Sequence, residues 1–288
     1  MTRYVYCNGR YTPYDKSFIH VEDRGFQYAD GIYEVVAVVK GIFVDLEPHL
    51  DRLEYSLNEI KLPPPVSRSV LKVILQEVLT LNRIVDGNIY LQITRGCGPS
   101  HKRYFGFPEQ ITPSLVVVAR PFDHQAFLKS KEKGIKCLSM KDWRWKRPDI
   151  KTTNLLPAVL SKQEACDQGF DDVIWFDDDG FVTEATASNV WIIKNGILIT
   201  RPASGAILGG ITRLRLIELA KNLGYEVKEE CFTLKDIYDS EEAFLSSSNI
   251  CALPINSVDR NTLKNAPNFN HVLGLQRAYE EFCAYLNV

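Results

Sequence analysis

Lys151 has the clearest potential for chemistry in this sequence. It lies in the run 149–154, Asp-Ile-Lys-Thr-Thr-Asn, where small polar residues follow a lysine and an apolar, helix-like stretch comes next. A lysine is a nucleophile at neutral pH only when burial or neighbouring cations lower its pKa. Arg144, Lys146 and Arg147 lie just upstream and supply such cations. The run therefore predicts a reactive amine at Lys151, whereas the alternative is a solvated lysine at the start of a helix.

Three later segments have the residue types that bind a phosphorylated, cationic ring. Glu184 lies between two strand-like runs and offers a carboxylate to a ring nitrogen. Gly209 and Gly210 open a run with helical spacing of apolar residues, and the amides of a helix start bind phosphate. The run 246–248, Ser-Ser-Ser, follows a short apolar strand and suits either an anion or an ordinary turn. Together with an amine for an aldehyde, these groups meet the requirements of pyridoxal 5'-phosphate (PLP).

Several stretches, in order along nearly the whole chain, carry a family resemblance. They are 22–34, 49–53, 94–96, 149–156, 184–189, 210–213 and 246–248. The chain resembles the fold-type IV (class IV) PLP-dependent aminotransferases and is most similar to their D-amino-acid (D-alanine) transaminase branch. The resemblance implies an α+β fold of two domains, a small N-terminal α/β domain and a larger C-terminal domain, with the cofactor in the cleft between them.

The resemblance also implies roles for individual residues. Lys151 would bind the cofactor aldehyde and then move the proton between the substrate α carbon and the cofactor. Glu184 would keep the ring nitrogen protonated, so that the ring accepts electrons. The other implied cofactor contacts are Arg52, Ile211, Thr212, Ser247 and Ser248 at the phosphate, Leu208 on the ring face and Arg144 near the ring hydroxyl. Tyr33 would line the substrate pocket.

Without the resemblance, two of these residues would have ordinary structural interpretations. Arg52 belongs to an amphipathic helix pattern, which by itself predicts a surface residue with its alkyl stem on the apolar face. Tyr33 would be one more aromatic residue in an apolar strand, and Glu34 beside it is interpreted as structural. The resemblance moves Arg52 and Tyr33 into the site.

The loop 97–108 departs from the family pattern. D-amino-acid transaminases bind the substrate carboxylate there with an Arg-x-His pair. Aligned from the start of the loop, Ser100 and Lys102 take the positions of the pair, whereas aligned from its end, Arg103 takes the arginine position and Phe105 replaces the histidine. The second register is preferred because an arginine fork suits a carboxylate, although Arg103 as a solvated loop residue is the alternative. The missing histidine leaves the preferred amino acid open.

Composition limits the classes of partner. The chain has 288 residues, 45% of them hydrophobic, and a net charge of -2, which argues against nucleic acid or a membrane surface as partner. The cationic run 141–147 is too short to change this. Seven cysteines, an odd number without Cys-x-x-Cys spacing, predict reduced thiols and no metal site. With no apolar signal segment or membrane span in the sequence, the expected compartment is the cytoplasm.

The expected partners are small molecules and a second copy of the chain. The family acts on amino acids and 2-oxo acids, and its members are typically homodimers whose sites take residues from both subunits. The loop 97–108 is a candidate for the element that reaches across. A mobile surface loop is the alternative.

The pattern of elements predicts a first domain at 1–120, a linker at 121–133 and a second domain at 134–288. Predicted helices are 48–62, 67–82, 155–169, one after Gly210, and 268–286. Predicted strands are 33–39, 89–94, 115–119, 135–140, 172–176 and 190–194, with hairpin turns at Asn8-Gly9, Asp179-Gly180 and Asn195-Gly196.

Three functions remain open from the sequence. The leading one is transamination of D-amino acids, in which D-alanine and 2-oxoglutarate give pyruvate and D-glutamate. The second is an L-branched-chain aminotransferase or an aminodeoxychorismate lyase of the same fold. The third is a PLP-binding protein without turnover, against which the joint presence of Lys151, Glu184 and Arg52 argues, since a pure binder has no use for an electron-accepting ring.

Overall fold

The computed structural model describes residues 3–98, 104–122, 131 and 133–285. The chain divides into two compact units, the first formed by 1–122 with 150–154 and the second by 123–149 with 155–288. Both combine helices with sheet, so the predicted α+β class is confirmed. The predicted linker 121–133 lies mostly outside the described residues and stays a prediction. The short segment 150–154, which contains Lys151, belongs to the first unit, an association that the predicted bounds did not include.

The first unit is an antiparallel sheet with two long helices. Its strands are β1 (Tyr4–Cys7), β2 (Arg10–Pro13), β3 (Gly31–Val39), β4 (Ile42–Phe43), β5 (Gly87–Cys97) and β6 (Thr112–Pro121), in the order β2-β1-β6-β5-β3-β4. Its helices are α1 (Arg24–Tyr28), α2 (Leu46–Glu59) and α3 (Arg68–Asn82), with a short 3-10 turn at Tyr14–Lys16.

One face of this sheet is covered by α2 and α3. Alternate residues of β3 point to that side, and the core contains Ile32 and Val38 from β3, Leu53 from α2 and Leu75 from α3. The alternate residues of the opposite face are only half-buried, and Tyr33 is among them. Strand alternation therefore leaves Tyr33 on a face that the helices do not fill.

The segment 150–154 is tied to the start of β3. Tyr33 donates its amide to the carbonyl of Lys151 at 3.0 Å, and Thr153 donates to the carbonyl of Gly31, also at 3.0 Å. Ser56 on α2 accepts from the amide of Lys151 at 3.3 Å, while Ile150 is buried in the core. These bonds fix the backbone on both sides of Lys151.

The second unit is built on a mixed sheet. Its strands are β7 (Ile135–Lys141), β8 (Asp172–Phe176), β9 (Val182–Ala185), β10 (Asn189–Lys194), β11 (Ile197–Thr200), β12 (Glu226–Glu229), β13 (Glu242–Ser246), β14 (Leu253–Val258) and β15 (Asn261–Thr262). Its helices are α4 (Leu156–Asp167), α5 (Ile211–Asn222), α6 (Leu234–Asp239) and α7 (Asn270–Tyr285).

The strand order is β12-β11-β10-β13-β14-β7-β8-β9, with β15 beside β14. β9 also pairs with β10, where Glu184 lies opposite Asn189. The strands from β10 through β13, β14, β7 and β8 to β9 therefore form a closed ring of pairings around an apolar core. This closure brings Glu184 and Asn189 side by side.

Most of the predicted elements are present within a few residues of their expected bounds. The predicted turns at Asn8-Gly9 and Asn195-Gly196 connect β1 to β2 and β10 to β11, and both residues of each turn have positive φ, as a tight hairpin requires. The sequence interpretation missed short elements, among them α1, β4, β12 and α6. No helix in the described ranges is long and apolar enough to cross a membrane.

Candidate active site

In the first unit, Lys151 and Tyr33 are in contact. The Lys151 Nζ atom lies 4.2 Å from the centroid of the Tyr33 ring, a cation–π distance. The Tyr33 ring in turn stacks on Tyr90 with centroids 5.6 Å apart, and Tyr90 donates its hydroxyl to Gln92 Oε1. Burial raises the pKa of Tyr90 to about 12, so this phenol stays neutral. An aromatic wall therefore lies directly beside the predicted reactive amine.

Behind Tyr33, Arg52 is bound to a fully buried carboxylate. Arg52 donates from Nε and Nη2 to the two oxygens of Glu34 at 2.7 and 2.8 Å. His49 Nδ1 lies 2.9 Å from Glu34 Oε2. The Arg52 side chain is only 10% exposed, so the surface position that the helix pattern alone predicted is wrong. Glu34 is the reason, because it draws the guanidinium inward. A phosphate contact of Arg52 stays a prediction.

The charges of this cluster are balanced. Burial by itself would raise the pKa of Glu34, but the charge and hydrogen bonds of Arg52, with the bond from His49, outweigh burial and lower it to about 2. Burial lowers the pKa of His49. The hydrogen bond and charge of Glu34 oppose this without outweighing it, and the positive charges of Arg52 and Lys151 add to the lowering. A neutral His49 protonated on Nδ1 then donates to Glu34.

In the second unit, Glu184 on β9 is held by three donors. Its Oε2 accepts from the Leu208 amide at 3.1 Å and from Asn189 Nδ2 at 3.3 Å. Its Oε1 accepts from Arg144 Nη1. Arg144 also bonds to Asp142, so Arg144 joins two carboxylates. The structure thus brings two other predicted residues, Arg144 and Leu208, into direct contact with Glu184.

In this second cluster two carboxylates, Glu184 and Asp142, share a single cation, the Arg144 guanidinium. Burial raises the pKa of Glu184, and the charge of Arg144 offsets this only in part. A cation placed against Glu184 would compensate the remaining charge in a buried setting, where an uncompensated charge is costly. The protonated ring nitrogen of PLP is a cation of this kind, so the cluster fits the cofactor.

The start of α5 fits a phosphate. Gly210 is the N-cap residue, no side chain caps the helix, and Ile211 and Thr212 of the first turn are buried. Uncapped amides at a helix start, with the helix dipole, bind anions. Asn189 connects this region to Glu184, because its Nδ2 also donates to the carbonyl of Leu208 at 2.9 Å.

The three consecutive serines occupy two different environments. Ser246 is buried in β13, where it accepts from Trp191 Nε1 at 2.8 Å. Ser247 and Ser248 follow the strand in a turn, in which Ile250 donates its amide to the carbonyl of Ser247 at 3.2 Å. The run therefore begins at the end of a strand and continues into a turn, as the sequence pattern allowed. A role of Ser247 and Ser248 at the phosphate stays a prediction.

The cations expected to act on Lys151 have carboxylate partners. Lys146 lies 3.8 Å from Asp178, and Arg147 lies 2.8 Å from Asp149. Arg144 is bound to Asp142 and Glu184, as described above. An influence of these cations on Lys151 stays a prediction.

Arg103, the predicted ligand of the substrate carboxylate, lies outside the described residues, as do Ser100 and Lys102 of the alternative register. Downstream of them, Phe105 is described, and its ring lies 5.4 Å from the Tyr28 ring. In the described part of the chain, no group of His, Cys, Asp and Glu side chains could hold a metal ion.

Sequence reasoning gave no role to His49, Asp142 or Asn189. His49 and Asn189 lie inside stretches that match the family, which was their only sequence signal. Asp142 lies two residues before Arg144 in the cationic run, and nothing in the sequence distinguished it from a surface aspartate. The role of each of the three follows from its contacts in the structure.

The fold is that of the aminotransferases. The branched-chain amino acid aminotransferase of Escherichia coli superposes with a TM-score of 0.89 at 23% identity, covering 98% of this chain and 94% of that one. A hypothetical aminotransferase from Mycobacterium tuberculosis, in its PLP-bound form, gives a TM-score of 0.82 at 24% identity, covering 96% and 98%. At these identities the two structures bear on the fold alone.

Sequence comparison identifies the family. The family model for amino-transferase class IV matches residues 31–258. The D-alanine aminotransferase of Listeria innocua is 38% identical over 88% of this chain and 87% of its own, and that of Bacillus licheniformis is 34% identical over 90% and 89%. A putative branched-chain-amino-acid aminotransferase of Methanocaldococcus jannaschii is 32% identical over 91% and 90%. The chain belongs to the class IV aminotransferases and is a PLP-dependent transferase.

Gly210→Ala should weaken cofactor binding. A Cβ atom at Gly210 would overlap Asn189 Oδ1 and displace the amide that holds both Glu184 and Leu208. Loss of one such hydrogen bond corresponds to about tenfold weaker binding of PLP, measured by titrating the apoprotein. Gly209→Ala is the matched control, since its Cβ would meet Ala203 Cβ at an ordinary 3.9 Å. Equal affinities of the two variants would contradict the role given to Asn189.

Glu34 should make the stability of the apoprotein pH-dependent in the acid range. Because its folded pKa is lowered, the unfolded chain binds more protons, so its contribution is present above about pH 4.5 and is lost as the pH falls towards about 2. Glu34→Gln should be less stable than wild type at neutral pH, and the difference should narrow across this window in urea unfolding. Exposed Glu109 provides the control, as Glu109→Gln. A difference that does not change with pH would rule out the ion pair as its source.

Proposed function

We propose that this chain is a D-amino-acid transaminase, which converts D-alanine and 2-oxoglutarate to pyruvate and D-glutamate. The observation that carries the chemistry is the buried Glu184 cluster, in which two carboxylates share one arginine, an arrangement that suits a protonated ring nitrogen. The preference for D-amino acids is supported by the relatives named D-alanine aminotransferase, at 34% and 38% identity.

When bound, PLP supplies an aldehyde that reacts with amines and a protonated ring that accepts electrons from the substrate. Lys151 is the amine that holds this aldehyde at rest. The Lys151 Nζ atom, when free of the cofactor, would move the substrate α proton as a general base and then a general acid. The cation–π contact with Tyr33 keeps the flexible lysine side chain near one position.

Glu184 would accept the ring N–H and stabilise its positive charge. The amides of Ile211 and Thr212 and the Thr212 hydroxyl would bind the phosphate, aided by Arg52, Ser247 and Ser248. Leu208 would pack on the ring, and Arg144 would lie near the ring hydroxyl. The uncapped start of α5 supports the phosphate assignment.

Substrate recognition is assigned to Tyr33 and Arg103. The stacked rings of Tyr33 and Tyr90 offer a flat wall to the substrate, and Arg103 offers a fork to its carboxylate. The substrates are amino acids and 2-oxo acids, and the working form is a homodimer, as is typical of the family.

A second candidate function is transamination of L-branched-chain amino acids. The observation that favours it is the relative of Methanocaldococcus jannaschii, which is 32% identical and is named a putative branched-chain-amino-acid aminotransferase. This candidate has the same cofactor chemistry and differs in the handedness and side chain of the substrate.

A half-reaction with single amino acids distinguishes these functions. Holoenzyme is mixed separately with D-alanine, L-alanine and L-leucine, and the visible absorbance of the lysine-bound cofactor is followed as it converts to the ultraviolet absorbance of pyridoxamine 5'-phosphate. Conversion by D-alanine alone is expected. Conversion by L-leucine but not D-alanine would establish the second candidate, and no conversion by any of the three would contradict both.

Two lysine variants control this experiment. Lys151→Ala should lose the visible band and slow proton transfer by at least about 10²-fold, the usual contribution of a positioned general base. Lys146→Ala is the matched control, because its side chain is 92% exposed, and it should behave as wild type.

A further inference from the structure

Asp142 binds the side of Arg144 that Glu184 leaves open. Its two oxygens accept from Arg144 Nε at 3.0 Å and from Nη2 at 2.7 Å, while Nη1 is directed to Glu184. The Arg144 backbone amide also donates to Asp142 Oδ1 at 3.1 Å. This fork geometry fixes the plane of the guanidinium as well as its position.

Asp142 is itself held by the ends of two strands. Its backbone amide donates to the carbonyl of Phe176 on β8 at 2.8 Å, and Thr183 on β9 donates its hydroxyl to Asp142 Oδ2 at 2.8 Å. The neighbour of Thr183 along β9 is Glu184. β9 therefore positions both carboxylates that bind Arg144. It contains Glu184, and through Thr183 it holds Asp142.

The third side of Arg144 is closed by an aromatic ring. The guanidinium carbon lies 4.4 Å from the centroid of the Trp175 ring, a cation–π contact, and Trp175 is completely buried. Ser161 on α4 accepts from Trp175 Nε1 at 3.3 Å. With Asp142, Trp175 and Glu184 on three sides, Arg144 cannot turn away from Glu184 without losing buried contacts.

The charge of Asp142 matters as much as its hydrogen bonds. Burial would raise the pKa of Asp142, but the bonds and charge of Arg144, with the Thr183 hydroxyl, lower it, so Asp142 stays ionised. An Arg144 that faced Glu184 alone would cancel the charge of Glu184. Because Asp142 neutralises Arg144 from its other side, Glu184 keeps its attraction for a further cation.

We propose that Asp142 is a positioning residue that raises the proton affinity of the PLP ring nitrogen, because it offsets the charge of Arg144 beside Glu184. The proposal rests on the proposed function, since it requires PLP with its ring nitrogen at Glu184. Asp142 makes no contact with the cofactor in this account and acts through Arg144.

The test is nitrogen NMR of holoenzyme loaded with PLP that carries ¹⁵N in the ring, since the chemical shift reports directly whether the nitrogen is protonated. Asp142→Asn keeps the shape of the side chain and removes its charge. We expect the midpoint of ring-nitrogen protonation to fall by about one pH unit, a tenfold loss of proton affinity. The turnover number for D-alanine should fall with it, and the affinity for PLP should fall by no more than about the same tenfold, because the phosphate contacts are unchanged.

Asp178→Asn is the matched control. Asp178 lies near the same cationic run but is 66% exposed and pairs with Lys141 at 2.7 Å. It should leave the midpoint at the wild-type value. An unchanged midpoint in Asp142→Asn, or an equal shift in both variants, would overturn the proposal.

Arg144→Gln gives an independent test and serves if Asp142→Asn does not fold. Removing the cation should raise the midpoint, opposite in sign to the effect of Asp142→Asn, whereas a merely structural role would disturb the site in the same direction in both. A midpoint lowered by Arg144→Gln would overturn the proposal. A wild-type holoenzyme without a protonated ring nitrogen would instead contradict the proposed function.

Discussion

The contact between Arg144 and Glu184 is the interaction on which the rest of the second unit's site depends. A buried carboxylate needs a compensating charge and donors for its oxygens, and Glu184 obtains both from Arg144, Asn189 and the Leu208 amide. Each donor requires a different piece of the fold. The pairing of β9 with β10 supplies Asn189, the segment before α5 supplies Leu208, and the segment after β7 supplies Arg144.

The first unit also buries a carboxylate, but the charges around it are balanced differently. Glu34 is compensated by Arg52, while His49 stays neutral and adds a hydrogen bond, so this cluster needs no further cation. The Glu184 cluster, by contrast, has a carboxylate in excess. A balanced cluster suits a supporting role behind Tyr33, whereas an unbalanced one suits the binding of a cationic ligand. The two clusters therefore differ in function even though both bury a glutamate against an arginine.

The sequence predicted the parts of the fold that depend on local patterns. The long helices and the hairpin turns at Asn8-Gly9 and Asn195-Gly196 follow from apolar periodicity and from turn chemistry, which nearby residues determine. Family stretches located Lys151 and Glu184. The pairing of 150–154 with the start of β3 was not predictable, because it joins residues more than a hundred positions apart. Asp142 and Asn189 acquire their roles only from contacts across strands. The helix pattern by itself places Arg52 at the surface, because a pattern within one helix contains no information about a buried glutamate on another element.

The most direct test of the proposed chemistry is to find where the cofactor attaches. Reduction of PLP-loaded protein with borohydride fixes the cofactor to its amine, and peptide mass spectrometry then locates the added pyridoxyl phosphate. One modified peptide, containing Lys151, is expected at close to one cofactor per chain. Attachment at another lysine, or protein that retains no cofactor after reduction, would contradict it.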